Sequence, residues 1–382
     1  MYRDLKWKIP LILAVVLGSV LLAYPLKEKI SLGLDLQGGM HLLLEVKVEK
    51  AVEASLERLA DDIKRDISDE DLEVDRIKAI HKDRQVNVRM VDKLDLPPVK
   101  EVLDGYPFFS LVSEDSDGLG LIYQLSADHV TQIEQNAVSQ GLETIRNRVD
   151  QFGVSEPTIQ IQGQKRILVQ LPGIKDSERA INLIGKTARL EFKLLDEEQS
   201  LDQALAGNVP EDSEILYQRV ENKETGEVTK DPFLIKKRTV LTGETLTGAE
   251  VRFDSDFNEP YVSLTFNSVG AMIFQQVTRE NIKKRLAIVL DDNVYSAPVI
   301  QDEIPGGRAQ ITGRFTSAEA RDLAIVLRAG ALPAPVVILE NRTVGPSLGM
   351  DSIEKGIASI VYGGLLVIVF IAIYYKLSGV IA

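Results

Sequence analysis

Two stretches of this chain are apolar without interruption, and they lie near its two ends. Gly356–Tyr375 (GIASIVYGGLLVIVFIAIYY) holds twenty residues without a charge, bounded by Lys355 and Lys376. A helix rises about 1.5 Å per residue, so this run spans roughly 30 Å, the hydrocarbon thickness of a bilayer. The pattern predicts a membrane helix over 356–375, with Tyr374 and Tyr375 at one end, where aromatic rings favour the interface. Ile9–Ala23 is also apolar and follows Arg3, Lys6 and Lys8. Taken alone, that arrangement fits a cleaved signal peptide, but Leu21-Leu22-Ala23 lacks the small-x-small exit. With a second span downstream, the first reads as a membrane helix over 9–25. The basic residues before the first span and Lys376 after the second place residues 1–8 and 376–382 on the cytoplasmic side. The 330 residues from Leu26 to Lys355 then form a loop on the far side.

Within that loop the apolar period switches between two and three-or-four, in one order, three times. His41–Val48 reads as a strand. A helix follows with Val52, Leu56, Leu59, Ile63 and Ile67 on one face. Strands Val74–Ile80 and Gln85–Val91, a helix near Leu96–Leu103 and strand Phe108–Val112 complete the first copy. The second has strand Leu119–Leu125 and helix Asp128–Phe152, whose face carries Val130, Ile133, Ala137, Leu142, Ile145 and Val149. A hairpin, Thr158–Gln162 with Arg166–Leu171, turns at Gly163. Helix Asp176–Lys186 and strand Arg189–Leu195 close that copy. The third, from Tyr261 to Asn341, has strand Tyr261–Phe266, helix Ala271–Lys283 and strands Leu286–Leu290, Val294–Ile300 and Arg308–Ile311. Thr316 and Glu319 form a capping box for a helix to Arg328, and Val336–Leu339 ends the unit. Strand-helix-strand-strand-helix-strand is the ferredoxin-like order. The predicted class is an α+β membrane protein: two transmembrane helices flanking a large domain of repeated ferredoxin-like βαββαβ units.

Residues 196–232, rich in Glu, Asp, Asn and Gly, read as a polar linker. Phe233–Val240 resumes apolar alternation. Gly330–Pro335 interrupts the end of the third copy: glycine lets the helix stop, and Pro333 and Pro335 hold their predecessors extended.

Charge and chemistry narrow the function by exclusion. The chain has 57 acidic and 44 basic residues, a net charge of -13, which argues against nucleic acid, since that calls for a basic patch. It has no cysteine and three histidines, His41, His81 and His129, one on each of three separate elements. That pattern offers neither thiolate chemistry nor metal-ligand spacing. Gly33–Gly39 (GLDLQGG) lacks the Gly-Lys-Ser/Thr ending of a phosphate loop, and there is no G-x-S-x-G. No catalytic residue, metal ligand or cofactor is expected. The far-side portion reads as a mechanical or binding module.

Four stretches carry a resemblance. LGLDLQGGMHLLLEV (32–46), RNRVDQFGVSEPTIQIQGQKRILVQLPGI (146–174), LRAGALPAP (327–335) and ENRTVGPSLGMDSIEKG (340–356) resemble motifs of the SecD family of the bacterial Sec export machinery. The resemblance runs from Met1 to Ala382. It implies an inner-membrane, multi-pass subunit whose main domain is periplasmic, with SecF, the SecYEG channel, YajC, YidC and unfolded exported polypeptides as partners. It implies use of the proton-motive force to promote late translocation and release. It also implies a periplasmic base (26–195) and a head (233–335), with a return segment (336–355) to the membrane. The family carries more membrane helices than the two read here, so the sequence is expected to be a portion of a longer protein. The rival readings are the periplasmic domain of an efflux-pump-like transporter and a membrane-anchored periplasmic enzyme.

Three candidate sites follow. Gly33, Asp35, Gln37, Gly38 and Gly39 would dock the base on the membrane part, with an ordinary first strand as the alternative. Tyr261, Val262, Leu264 and Phe266, and the strand Val294–Ile300, would receive emerging chain along a sheet edge, the alternative being that both are paired inside the sheet. Gly330, Pro333 and Pro335, with an inbound hinge near Leu234–Gly243, would let the head move on the base. A rigid connector is the competing account.

Overall fold

A computed structural model describes residues 10–11, 14–15, 17–19, 38–115, 117–174, 176–221, 228–254, 258–313, 315–344 and 346–375. The described residues between 10 and 19 are helical; the rest of the first apolar stretch lies outside the described residues.

Strand β1 (Gly39–Val46) shows why alternation matters. Met40, Leu42, Leu44 and Val46 are at most 1% exposed, while the residues between them are half-buried. One face must therefore meet a core. The core it meets is not the one expected. β1 pairs antiparallel with β7 (Arg166–Pro172) and with β16 (Val336–Val344), and β6 (Thr158–Gln162) completes a sheet of order β16-β1-β7-β6. Helix α3 (Ala127–Phe152) covers this sheet with Ala137, Val138, Ile145 and Val149. Ser126 caps α3 by accepting from the His129 N–H, and Gly153, at φ 80°, ends it in the left-handed conformation.

A second sheet is built from β2 (Val74–Ile80), β3 (Gln85–Met90), β4 (Phe109–Glu114) and β5 (Gly120–Leu125), in the order β2-β3-β5-β4. Its core joins Val86, Val88, Leu121 and Tyr123 to Leu56, Ile63 and Ile67 of α1 (Val48–Asp69) and to Val99 and Leu103 of α2 (Leu96–Asp104). The consecutive copies of the sequence reading are thereby corrected. The opening strands of copies one and two, β1 and β5, have changed places, so the two sheets are interleaved along the chain. Alternation fixes which face of a strand is buried but leaves its partner open, and both strands carry the same pattern.

The third copy is corrected as well. α4 (Ser177–Gly185) leads into β8 (Leu190–Leu195), which leaves the base. It joins β10 (Val228–Thr242), β13 (Leu286–Leu290), β14 (Asn293–Ser296) and β9 (Ser213–Glu221) in a closed barrel of order β10-β8-β13-β14-β9. β11 (Leu246–Phe253), β12 (Pro260–Phe266) and β15 (Arg308–Ile311) form a separate sheet with β12 in the middle. Helices α6 (Ser268–Glu280) and α7 (Ser317–Ala329) complete this head, and the predicted capping box of Thr316 and Glu319 is present on α7.

The head has two cores because β13 is buried along its whole length. Leu286, Ile288 and Leu290 face a cluster with Phe192, Leu264, Phe274 and Val326. Ala287 and Val289 face the barrel interior with Leu195, Ile235 and Val294. The polar linker is also overturned as a solvated segment. Residues 196–231 contain α5 (Leu201–Leu205) and β9, which pairs with β10 from Ser213↔Lys236 to Glu221↔Val228. Its acidic residues obscured a strand that is wet on one side.

Helix α8 (Pro346–Tyr375) includes Ile353–Tyr375, 23 residues with mean hydropathy 2.5, long and apolar enough to cross a membrane. None of the most apolar window of that span is buried: Ile360, Leu366 and Ile373 are 76%, 70% and 73% exposed. An apolar stripe with no protein cover is what lipid would cover.

Candidate functional site

The head is inserted between α4 and β16 of the base, so two short segments carry the chain across: 186–189 going out and 330–335 coming back. Leu234–Gly243, expected as the inbound hinge, lies instead within β10 and the turn after it, inside the head. The true outbound crossing follows α4 directly.

Both crossing segments meet the guanidinium of Arg148. This residue sits on the inner face of α3, between Ile145 and Val149, and is 1% exposed. Nη1 donates to the carbonyls of Leu183 (3.0 Å) and Ile184 (3.1 Å), and also to that of Lys186. Nη2 donates to Thr187 O at 3.3 Å and to Gly330 O at 3.0 Å. Leu183 and Ile184 lie in the last turn of α4, whose carbonyls have no helical partner and carry the negative end of the helix dipole. Burial pushes the Arg148 pKa down to about 10, with the nearby Asp291 carboxylate acting against the fall. The group therefore stays charged at neutral pH. Its hydrogen bonds go to carbonyls, all from the two terminal nitrogens of the planar fork, while Nε is buried without a partner among the described residues.

The returning segment is fastened to the base along its length. The Leu332 N–H donates to Thr187 O (2.8 Å), which ties one crossing segment to the other. The Lys47 N–H donates to Pro335 O (2.9 Å), and the Thr144 hydroxyl to Ala331 O (3.4 Å). Leu332 and Ala334, 3% and 2% exposed, belong to the base core with Val46, Val48 and Ala51. On the head side, the Asp291 carboxylate, in the β13–β14 turn, accepts from the backbone N–H groups of Ala188 (2.9 Å) and Arg189 (3.0 Å). Farther out, Arg179 of α4 grips Asp322 of α7 bidentately, with Nη2–Oδ1 at 2.6 Å and Nε–Oδ2 at 3.1 Å, while its guanidinium lies over the Phe152 ring. A cleft of about 2260 Å³ opens beside the junction, lined by Glu57 and Asp61 of α1, Glu143 of α3, Lys237 and Arg238 of β10, and Gly330.

Two junction residues have positive φ: Ala188 at 58° and Gly330 at 90°. Opposite substitutions should have opposite effects. Ala188→Gly removes a Cβ from a left-handed residue and should leave stability unchanged or raise it by about 0.5–1 kcal/mol. Gly330→Ala should cost about 1–3 kcal/mol, because its backbone geometry is open only to glycine. Denaturant midpoints of the two variants, compared with the parent, measure both; shifts of the same size and sign would contradict the strain argument.

The other expected sites fare differently. Gly33, Asp35 and Gln37 lie outside the described residues. Gly38 and Gly39 open β1 at φ 71° and 140°, and Gly38 O accepts from the Gly173 N–H at 2.9 Å. Tyr261, Val262, Leu264 and Phe266 sit on β12, which is paired on both sides, and Val262 and Leu264 are fully buried. β12 therefore offers no free edge. Within Val294–Ile300, β14 is paired on both sides in the barrel. Pro333 and Pro335 lie in the fastened return segment.

Sequence reasoning missed Arg148, Ala188, Asp291, Arg179 and Asp322. Of these, Arg148 alone left a trace: an arginine on the apolar stripe of a long helix.

Comparison with known proteins bears on this architecture. Residues 213–334 match the family profile of the SecDF P1 head subdomain, and residues 138–197 that of the N-terminal P1 domain of protein translocase subunit SecDF. Protein translocase subunit SecD of Calditerrivibrio nitroreducens is 49% identical over 385 residues, covering 100% of this chain and 74% of that protein. The SecD subunit of Desulfurispirillum indicum is 47% identical, covering 98% of this chain and 72% of that protein. A crystal structure of SecDF in a super-membrane-facing form superposes with a TM-score of 0.50 at 30% identity. That match covers 97% of this chain and 39% of the solved one.

Proposed function

Because the chain belongs to the SecD family of protein translocase subunits, we propose that it acts with SecF beside the SecYEG channel, using the proton-motive force to promote late translocation and release. YajC and YidC belong to the same proposed assembly. The observation that carries the reading is the two-segment junction: a head with two cores, one of which reaches the base only through Leu183 of α4 and Phe152 of α3 among the described residues, is joined to the base by 186–189 and 330–335 and is built to change position as a unit. The interleaved base sheets are two ferredoxin-like units that exchange their first strands, which makes the base one body. Emerging chain would be received on the far side of the membrane. There it would meet an exposed strand edge such as β16, where Val337, Ile338 and Leu339 are 43%, 38% and 45% exposed.

Export in cells depleted of their own SecD tests this reading. Expression of the full-length protein with its SecF should clear accumulated precursor of a secreted protein. Precursor that persists at the depleted level would overturn it.

The topology follows from residues 9–25 and α8 as spans with the intervening domain periplasmic. A reporter enzyme inserted near Asn222 should be active only if it folds in the periplasm, and one fused after Ala382 only if it folds in the cytoplasm. Both reporters on one side would contradict the two-span arrangement.

A further inference from the structure

We propose that Arg148 anchors the junction, so that the head pivots on the base at two points, Ala188 and Gly330, and not along the proline-bearing return segment. The inference deepens, and rests on, the proposed mobility of the head. The bonds change sides within single residues. On the outbound segment, Thr187 O is held by Arg148 from the base, while the next backbone group, the Ala188 N–H, is held by Asp291 from the head. On the return segment, the Gly330 N–H donates to Leu327 O of the head helix α7, and Gly330 O accepts from Arg148. The boundary therefore runs through the 187–188 peptide and through Gly330, and at each place stands a residue of positive φ.

Everything on the base side of that line is fixed. Leu332 and Ala334 are buried in the base core, and Pro335 O is held by the Lys47 N–H. Residues 331–335 must therefore move with the base. Bending is left to the backbone dihedrals of Ala188 and Gly330, which sit in conformations with accessible alternatives. Arg148 makes this division because it is one side chain bonded to both segments and to the end of α4. A lysine there would present three donors from a point and could not span the same carbonyls. Movement of the head would also break Arg179–Asp322, which lies off this axis.

The test uses the full-length protein with spin labels at exposed Gln140 of the base and Gln301 of the head, in the parent and in Arg148→Lys and Arg148→Met. In Arg148→Met, the inter-label distance distribution should broaden. Amides of Leu332 and Ala188 should exchange about tenfold faster or more, while β7 amides such as Val169 keep their parental rate. Arg148→Lys should fall between the two. Unchanged distances and unchanged exchange at Leu332 and Ala188 would overturn the anchor. So would faster exchange everywhere, β7 included, which would make Arg148 a residue of general folding. These readouts do not involve export. Broadened distances with undiminished export would support the anchor and overturn head position as part of the working cycle.

Discussion

Replacing Phe192 by alanine should unfold the head while the base stays folded. Phe192 is fully buried on β8, the first strand beyond the outbound crossing. Its ring meets Phe266 of β12 edge-on at 5.6 Å and Phe274 of α6 at 5.9 Å, so one side chain joins the barrel, the three-stranded sheet and a helix. Removing a buried phenylalanine costs about 3–5 kcal/mol, through lost transfer energy and the cavity that remains. That is a large share of the roughly 5–15 kcal/mol that holds a whole domain. Phe192→Leu refills most of the volume and should cost about 1.5 kcal/mol or less. Hydrogen exchange separates the two regions: in Phe192→Ala, amides of β12 and β13 should lose protection, while those of β1 and β7 keep it. Equal loss in both would show that head and base fold as one cooperative unit. A loss below about 1 kcal/mol would mean that the aromatic cluster is not what unites the head.

The elements that depend on local pattern were legible in the chain. α1 and α3 follow from apolar residues three and four apart, the β6–β7 hairpin from Gly163, and the α7 start from Thr316 and Glu319. The second apolar span stands out by length alone. Pairing was not legible. β1 and β5 carry the same alternation and stand in similar local order, and their exchange is decided by cores that join residues far apart in the chain, Leu42 with Val169 in one and Leu56 with Leu121 in the other. β9 was hidden because its polar residues were counted as composition: Tyr217 and Arg219 face out, while Glu214 and Gln218 share the face of Leu216 and are bonded to Lys193 and to the Tyr295 carbonyl. β12 shows the converse. Its alternation reads as an edge strand with one dry face, yet β11 and β15 flank it. The junction was half legible. Gly330 announces itself as a helix stop, but Ala188 has no sequence sign of its left-handed backbone, and Arg148 matters through carbonyls, which sequence does not display.

Bridging Arg179 and Asp322 covalently should arrest export without unfolding anything. Residues 1–382 contain no cysteine, so R179C/D322C introduces the only two thiols within them, and the cysteine-free parent of the full-length protein serves as the background. The native side chains already touch across the gap between α4 and α7, so a short bifunctional maleimide reaches both sites in this arrangement. Losing the ion pair itself should matter little to stability, since Arg179 and Asp322 are 37% and 25% exposed and such pairs contribute about 0–1 kcal/mol. The unbridged variant is thus a near-native control. Once bridged, the head cannot turn about Ala188 and Gly330 without breaking a bond. Precursor translocation driven by the proton-motive force should then be measured in membrane vesicles carrying the full-length protein with SecF, before and after bridging, together with a monofunctional maleimide control. Loss of the stimulation that the subunit gives, on bridging alone, is the expected result. Stimulation that survives complete bridging would contradict the claim that the head works by moving on its base.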